Sequence, residues 1–143
     1  MIRICQTIHD INPEQWNALT GTQGNPFMDY RFLSALETAS CVGGQSGWAP
    51  LYIVAGDDEI IGALPCFLKL HSYGEYIFDW AWADAAHRLG YEYYPKLVVA
   101  SPFSPVGGPR LLTVANEEDQ EDTRRMLIDA LNGLGRKLNA SSI

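Results

Sequence analysis

The stretch "LYIVAGDDEIIGALPCFLKL", residues 51–70, constrains this chain more than any other. Two apolar runs flank the polar turn Gly56-Asp57-Asp58-Glu59, which is the pattern of a β-hairpin. The spacing predicts one strand over Leu51–Ala55 and a second over Ile60–Lys69. Gly62 inside the second strand predicts a bulge or a close backbone approach, and Pro65 predicts an edge position or a bulge. A hairpin of this kind must be built into a sheet that other elements cover.

The flanking sequence supplies those elements. Arg3–His9 alternates as a short strand, with Ile4, Gln6 and Ile8 on one side and Cys5 and Thr7 on the other. A helix start follows. Asn12 suits the N-cap, Pro13 the first turn and Gln15 the return position of a capping box, with Ile11 and Trp16 at staple spacing. This helix is expected to end near Gly21. A second helix is expected over Asp29–Ala39, with Phe32, Leu33 and Leu36 on one face and Gly43 and Gly44 ending the segment. Lys96–Ala100 reads as a strand, and "SPFSPVGGPR" (101–110) as an irregular loop. Leu111–Val114 resumes a strand. Asn116 is placed to cap a long helix that opens with acids and closes with Arg136 and Lys137, matching the helix dipole. Leu127, Leu131, Leu134 and Leu138 form its apolar stripe, and Gly133 and Gly135 weaken it by roughly 1 kcal/mol each. Ala140–Ile143 reads as the start of another strand, at which the sequence stops. The order of elements is that of an α/β fold with a helix-covered sheet.

Composition narrows the function. A chain of 143 residues with 47% hydrophobic and 19% charged residues is one globular domain. Cys5, Cys41 and Cys66 are widely spaced and form no CxxC, so neither a disulfide framework nor a zinc site is expected, and a reducing cytoplasm is the expected setting. The net charge of −7 comes mostly from one run, Glu117, Glu118, Asp119, Glu121 and Asp122. No basic stripe of the nucleic-acid-binding kind exists. No apolar run reaches the roughly 18 residues of a membrane span, and the N-terminus lacks the pattern of a signal peptide.

The chemistry-bearing stretch is "SYGEYIFDWAWADAAHRLGYEYYP", 72–95. Its alternating Tyr76, Phe78, Trp80 and Trp82 fit a strand. Phe78, Trp82, Ala85, Ala86 and Leu89 fit a helix face, and the alanines with Gly90 as a stop favour a helix over Tyr76–Leu89. Aromatic side chains interleaved with acids suit an amine-bearing ligand. The candidates are Glu75 and Asp79 as base, with Tyr73, Trp80, Trp82 and Asp84 lining an acceptor pocket. The bland alternative is a core helix with paired acids. In the stretch that follows, Tyr93, Tyr94, Lys96, Phe103, Gly107, Gly108 and Arg110 are candidates for binding an anionic or glycan part of the acceptor. Arg110 is placed to grip a carboxylate or phosphate. His71 and His87 belong to no complete ligand set, and no GxSxG elbow occurs.

"NPFMDYRFLSALE", "HSYGEYIFDWAWADA" with "YYPKLVVASPFSPVGGPRLL", and the closing "NASSI" together resemble the FemAB-like peptidoglycan biosynthesis/recognition proteins of the GNAT N-acyltransferase superfamily. The resemblance covers nearly the whole chain and corresponds to the N-terminal module of a longer, two-module architecture. It implies a GNAT-like, largely antiparallel sheet, ending before its later strands, and acyl or aminoacyl transfer to a small-molecule, glycan or peptide amine. For a complete family member it implies an acyl-CoA or aminoacyl-tRNA donor. In the superfamily's pyrophosphate loop, Gln/Arg-x-x-Gly-x-Gly/Ala, Gly107 aligns with the first glycine. Ser104 and Pro109 depart from the pattern, and Pro109 removes a backbone donor. No cofactor is therefore expected in this chain, which is expected to be inactive alone and to need a second module or another copy. The alternative is a non-catalytic ligand-binding or assembly module that pairs through its sheet edge.

Overall fold

The computed structural model describes residues 1–20, 24–73, 75, 77–114 and 117–143. In chain order the elements are β1 (Ile2–Cys5), α1 (Pro13–Leu19), α2 (Tyr30–Thr38), β2 (Trp48–Pro50), β3 (Tyr52–Gly56), β4 (Ile60–Leu64), β5 (Cys66–Lys69), α3 (Trp80–Arg88), β6 (Lys96–Val99), β7 (Leu112–Thr113) and α4 (Glu117–Lys137). Short 3-10 turns occupy Ile8–Asp10 and Pro26–Met28. The fold is mixed α/β, with two antiparallel sheets ordered β1-β3-β4-β7 and β2-β5-β6.

The expected hairpin is the organising feature, and it is longer than the sequence pattern suggested. Pro50 lies opposite Phe67 and Trp48 opposite Lys69, while Ile53 lies opposite Leu64. The register is thus the same in both sheets, and the Leu51 N–H bonds to the Cys66 carbonyl across the junction. One hairpin splits into two sheets at Pro65. Proline has no N–H to donate, so the single strand expected over Ile60–Lys69 is divided there. Beyond the break β4 recruits β7 and β5 recruits β6. The bulge falls at Ala55/Gly56. At Gly62 it is the close approach that holds: a Cβ there would stand 2.5 Å from Thr123 Cγ2 and 3.2 Å from the Leu112 carbonyl.

Both faces of the hairpin are covered. On β3, Tyr52 and Val54 join Trp16, Leu19, Leu33, Trp48 and Phe67 in one apolar cluster beneath α1 and α2. Ile53 and Ala55 face the other way and pack with Leu64, Leu97, Leu127 and Leu134 of the α4 side. The leucine stripe of α4 thus does what its spacing predicts. Trp16 is fully buried, and its indole N–H donates to the Met28 carbonyl at 2.8 Å, which satisfies its one polar atom.

Several local expectations change. β1 ends at Cys5 because Thr7 caps the 3-10 turn by accepting from the His9 N–H. Asn12 caps α1 through the Glu14 and Gln15 N–H groups. The Gln15 side chain does not return to the cap. It reaches the β3–β4 turn, donating to the Asp58 carbonyl and accepting from the Ile60 N–H. α3 starts at Trp80, and no residue of it is buried. The closing residues form no strand, but they lie along β6: Ser141 N–H bonds to the Pro95 carbonyl and Leu97 N–H to the Ser142 carbonyl. Gly21, Tyr76 and Asn116, and the side chains of Glu117, Glu118 and Asp119, lie outside the described residues. No helix among the described residues is long and apolar enough to cross a membrane.

Candidate functional site

Two lysines enter the sheet β2-β5-β6 from facing positions. Lys69 ends β5 and Lys96 begins β6, and the two are register partners. Lys69 is fully buried and Lys96 nearly so. Isolated ammonium groups cannot be held there, so the loop after β5 brings carboxylates to them. Lys96 Nζ bonds Asp79 Oδ2 and sits 3.1 Å from Glu75 Oε1 and 3.2 Å from Oε2. Lys69 Nζ donates to the Tyr73 carbonyl at 2.9 Å, lies 4.0 Å over the Trp48 ring and is 3.9 Å from Glu75 Oε1. The formal charges of these four side chains cancel.

Asp79 is the hub. It accepts from Lys96 and Ser72, and from the Tyr93 hydroxyl at 2.7 Å. This explains why it stands at the N-cap position of α3 yet makes no capping bond. Burial pushes its carboxyl up, but the bonds from Lys96, Ser72 and Tyr93 outweigh burial together and hold it down at about 2. Burial raises the Tyr93 hydroxyl, helped by the Asp79 carboxylate, to about 12. Lys96 is raised: burial lowers it, and its bonds to Asp79 and Glu75 more than compensate. Lys69 goes the other way. Burial depresses it to about 8, with the Lys96 charge adding to the effect and Glu75 and Asp79 opposing it.

Two small cavities flank this network. One, of about 180 Å³, is lined by His71, Ser72, Tyr73, Trp80, Ala83 and Tyr94. The other, of about 210 Å³, has Glu75 in its wall with Trp48, Val98, Ser101 and Phe103. Among the described residues Glu75 Oε1 has no directed hydrogen bond, although both lysines lie near it.

The candidate residues therefore divide. Glu75, Asp79, Tyr94 and Lys96 converge, with Tyr73 contributing its carbonyl and its ring, and Trp80 and Phe103 lining the cavities. Trp82 and Asp84 do not join them. Trp82 is 72% exposed, and Asp84 pairs with Arg88 one turn along α3. The aromatic residues of α3 are thus not the packed core that the helix reading allowed. Arg110 is also elsewhere. Its guanidinium bonds the Val106, Gly108 and Pro109 carbonyls of its own loop. It lines a separate apolar cavity with Leu64, Arg124, Ile128 and Leu131. Gly107 offers its carbonyl to Asn25, and Gly108 takes φ +129° with Asn25 packed against it.

Sequence reasoning missed Lys69, Ser72 and Trp48. The alternation of the strand carried the signal for Lys69: it continues Cys66, Phe67 and Leu68 into the buried end of the hairpin. A charged residue at such a position demands a partner. Among the described residues no group of three His, Cys, Asp or Glu is arranged to hold a metal.

A comparison with protein-family models matches residues 7–143 to the FemAB-like family, described by peptidoglycan biosynthesis/recognition. The chain belongs to the FemAB-like family. No curated protein and no solved structure matches it. The family suggests a peptidoglycan-related role for the chain.

Proposed function

We propose that this FemAB-like chain supplies the acceptor side of an N-acyl or N-aminoacyl transfer, with Glu75 meeting the acceptor amine. The observation that carries this reading is the Glu75 side chain in the lining of the cavity rimmed by Trp48 and Phe103, with its Oε1 buried beside two lysines and without a directed hydrogen bond. A carboxylate at a cavity wall suits an amine N–H. The nearby Lys69 and Lys96 cations disfavour a third ammonium, so the acceptor is held as a neutral nucleophile. In the step itself the amine nitrogen bonds to the acyl carbon, that carbon's bond to the donor's sulfur or oxygen breaks, and the amine proton passes to Glu75. Asp79, held near 2, is too weakly basic for this task. Its part is to fix Lys96.

We place the donor, an acyl-CoA or an aminoacyl-tRNA, on a second module or another copy of the chain. The departures at Ser104 and Pro109, and the strand β7 between the loop and α4, support that placement. Pairing through the sheet edge as an assembly module has less support, since residues 141 and 142 already bond to β6.

The test is calorimetric titration with a lysine-containing stem peptide of peptidoglycan. Wild type should bind it, its side-chain-acetylated form should not bind, and Glu75→Gln should weaken binding about tenfold, roughly 1.4 kcal/mol. Equal binding of the free and acetylated peptides would sink the reading.

A further inference from the structure

The second cavity, on the other side of the Asp79 hub, has a different chemistry from the Glu75 wall. Its sides are rings. Tyr73 meets Trp80 edge to face with centroids 5.0 Å apart, and His71 meets Tyr73 at 5.2 Å. Trp80 is 49% and Tyr73 61% exposed, so ring surface is left open to solvent beside a concave site. Its base is neutral. Ser72 gives its hydroxyl proton to Asp79, so Tyr94 must donate to the Ser72 oxygen. The Tyr94 oxygen is thereby left with its acceptor capacity free. His71 Nδ1 accepts from the Tyr73 N–H, so the neutral ring carries its proton on Nε2. The charges behind, Lys96 and Asp79, are already spent on each other.

Such a site favours a neutral ligand with one apolar face and a polar rim. Among the described residues lining it, a cation would find no free carboxylate and an anion no free cation. The volume of about 180 Å³ is below the roughly 300 Å³ at which pockets take drug-sized molecules, and it suits a single ring. A pyranose has these properties: its C–H face stacks on an aromatic ring while its hydroxyls exchange hydrogen bonds at the edge.

We propose that the cavity formed by His71, Ser72, Tyr73, Trp80 and Tyr94 is a subsite for one neutral sugar ring of a glycan. The ring stacks on Trp80 and Tyr73 and donates a hydroxyl to the Tyr94 oxygen. This deepens the acceptor reading by naming a glycan as the part of the acceptor held beside the amine site. The position of His71 depends on Gly47, where a Cβ would stand 2.1 Å from the imidazole. Gly47 is therefore a positioning residue for this wall.

The experiment is a nitrogen-15 NMR titration of the 143-residue chain with an N-acetylglucosamine trimer, which carries no amine and no peptide. The expected result is saturable movement of the Trp80 indole signal with that of Trp16 unmoved. Trp80→Ala should weaken binding at least tenfold and Gly47→Ala several-fold. α3 buries no residue, so the amide spectrum of Trp80→Ala should otherwise match wild type. An unmoved Trp80 indole, or full binding by Trp80→Ala, overturns the proposal. So does displacement of the trimer by a tryptophan-containing peptide at lower concentration, which would make the cavity a peptide side-chain site. Glu75→Gln separates the two readings. Trimer binding that survives Glu75→Gln, with no binding of the stem peptide by wild type, keeps the sugar site and removes the amine site. The reverse pattern does the opposite.

Discussion

Two carboxylates anchor polar networks in this molecule, and they do so by different means. Glu37 of α2 accepts from the Thr7 hydroxyl at 2.5 Å, the Ile8 N–H at 2.9 Å and the Tyr52 hydroxyl at 2.8 Å. Its three donors are neutral and come from two separate segments, so Glu37 is a brace tying the first 3-10 turn and β3 to α2. Asp79 accepts from three donors too, all of them side chains, but one is a buried ammonium, and Ser72 of its shell lines a cavity. Both are three-donor carboxylates on or beside a helix, and one-letter codes do not distinguish them. The difference lies in what would be left behind if the charge were removed: at Glu37 three neutral donors, at Asp79 a buried cation.

The same substitution at both sites tests this. Asp79→Asn keeps the shape but leaves Lys96 with Glu75 alone. Losing one partner of a buried ion pair costs about 3 kcal/mol, at the low end of the usual range because Glu75 remains. Glu37→Gln costs about 1 kcal/mol. The Thr7 hydroxyl can reverse and accept from the new amide, while the remaining oxygen serves Ile8 and Tyr52. Urea denaturation at constant slope measures both. Equal losses at the two sites would erase the distinction between brace and hub.

Most of the fold was legible because it rests on short-range rules. Asn12, Asp29 and the Gly56–Glu59 turn each act where their local chemistry directs. The antiparallel pairing followed from two apolar runs around that turn. The division of the sheet did not follow, because Pro65 signals only that a donor is missing, not that new partners wait on each side. The site was legible in part. Glu75 and Asp79 were named from the density of acids and rings, and Tyr94 and Lys96 as binders of an anionic or glycan group, whereas Lys96 bonds these two carboxylates; Lys69 and Ser72 looked like ordinary members of a strand and a loop. The rings misled. A helical spacing of Phe78, Trp82 and Leu89 is the pattern of a buried face, yet these residues are 59%, 72% and 74% exposed. Periodicity reports which side chains share a face, not whether anything covers it.

The hub should also answer to pH. Asp79 is held at about 2 in the folded chain, below an ordinary aspartate near 3.9. The unfolded state therefore binds more protons between those values, and stability should fall as pH drops from about 4 to 2. Asp79→Asn should remove that part of the acid loss.

The smallest effect tests Lys69, the member of the network with no counterpart around Glu37. Its folded value of about 8 lies below the ordinary lysine value of 10.5. Between those two pH values the native chain has released the proton and the unfolded chain still holds it. Stability should thus rise with pH across that window, by an amount on the order of 1 kcal/mol. Lys69→Met keeps the apolar stem under the Trp48 ring and removes the titration. Chemical denaturation at pH 7.5 and pH 10 should show the wild-type gain and its loss in the variant, with Glu37→Gln retaining it. A flat wild-type profile would mean that Glu75 and Asp79 fully offset burial at Lys69. The network would then be a closed set of ion pairs, with no weakly held proton beside the Glu75 cavity.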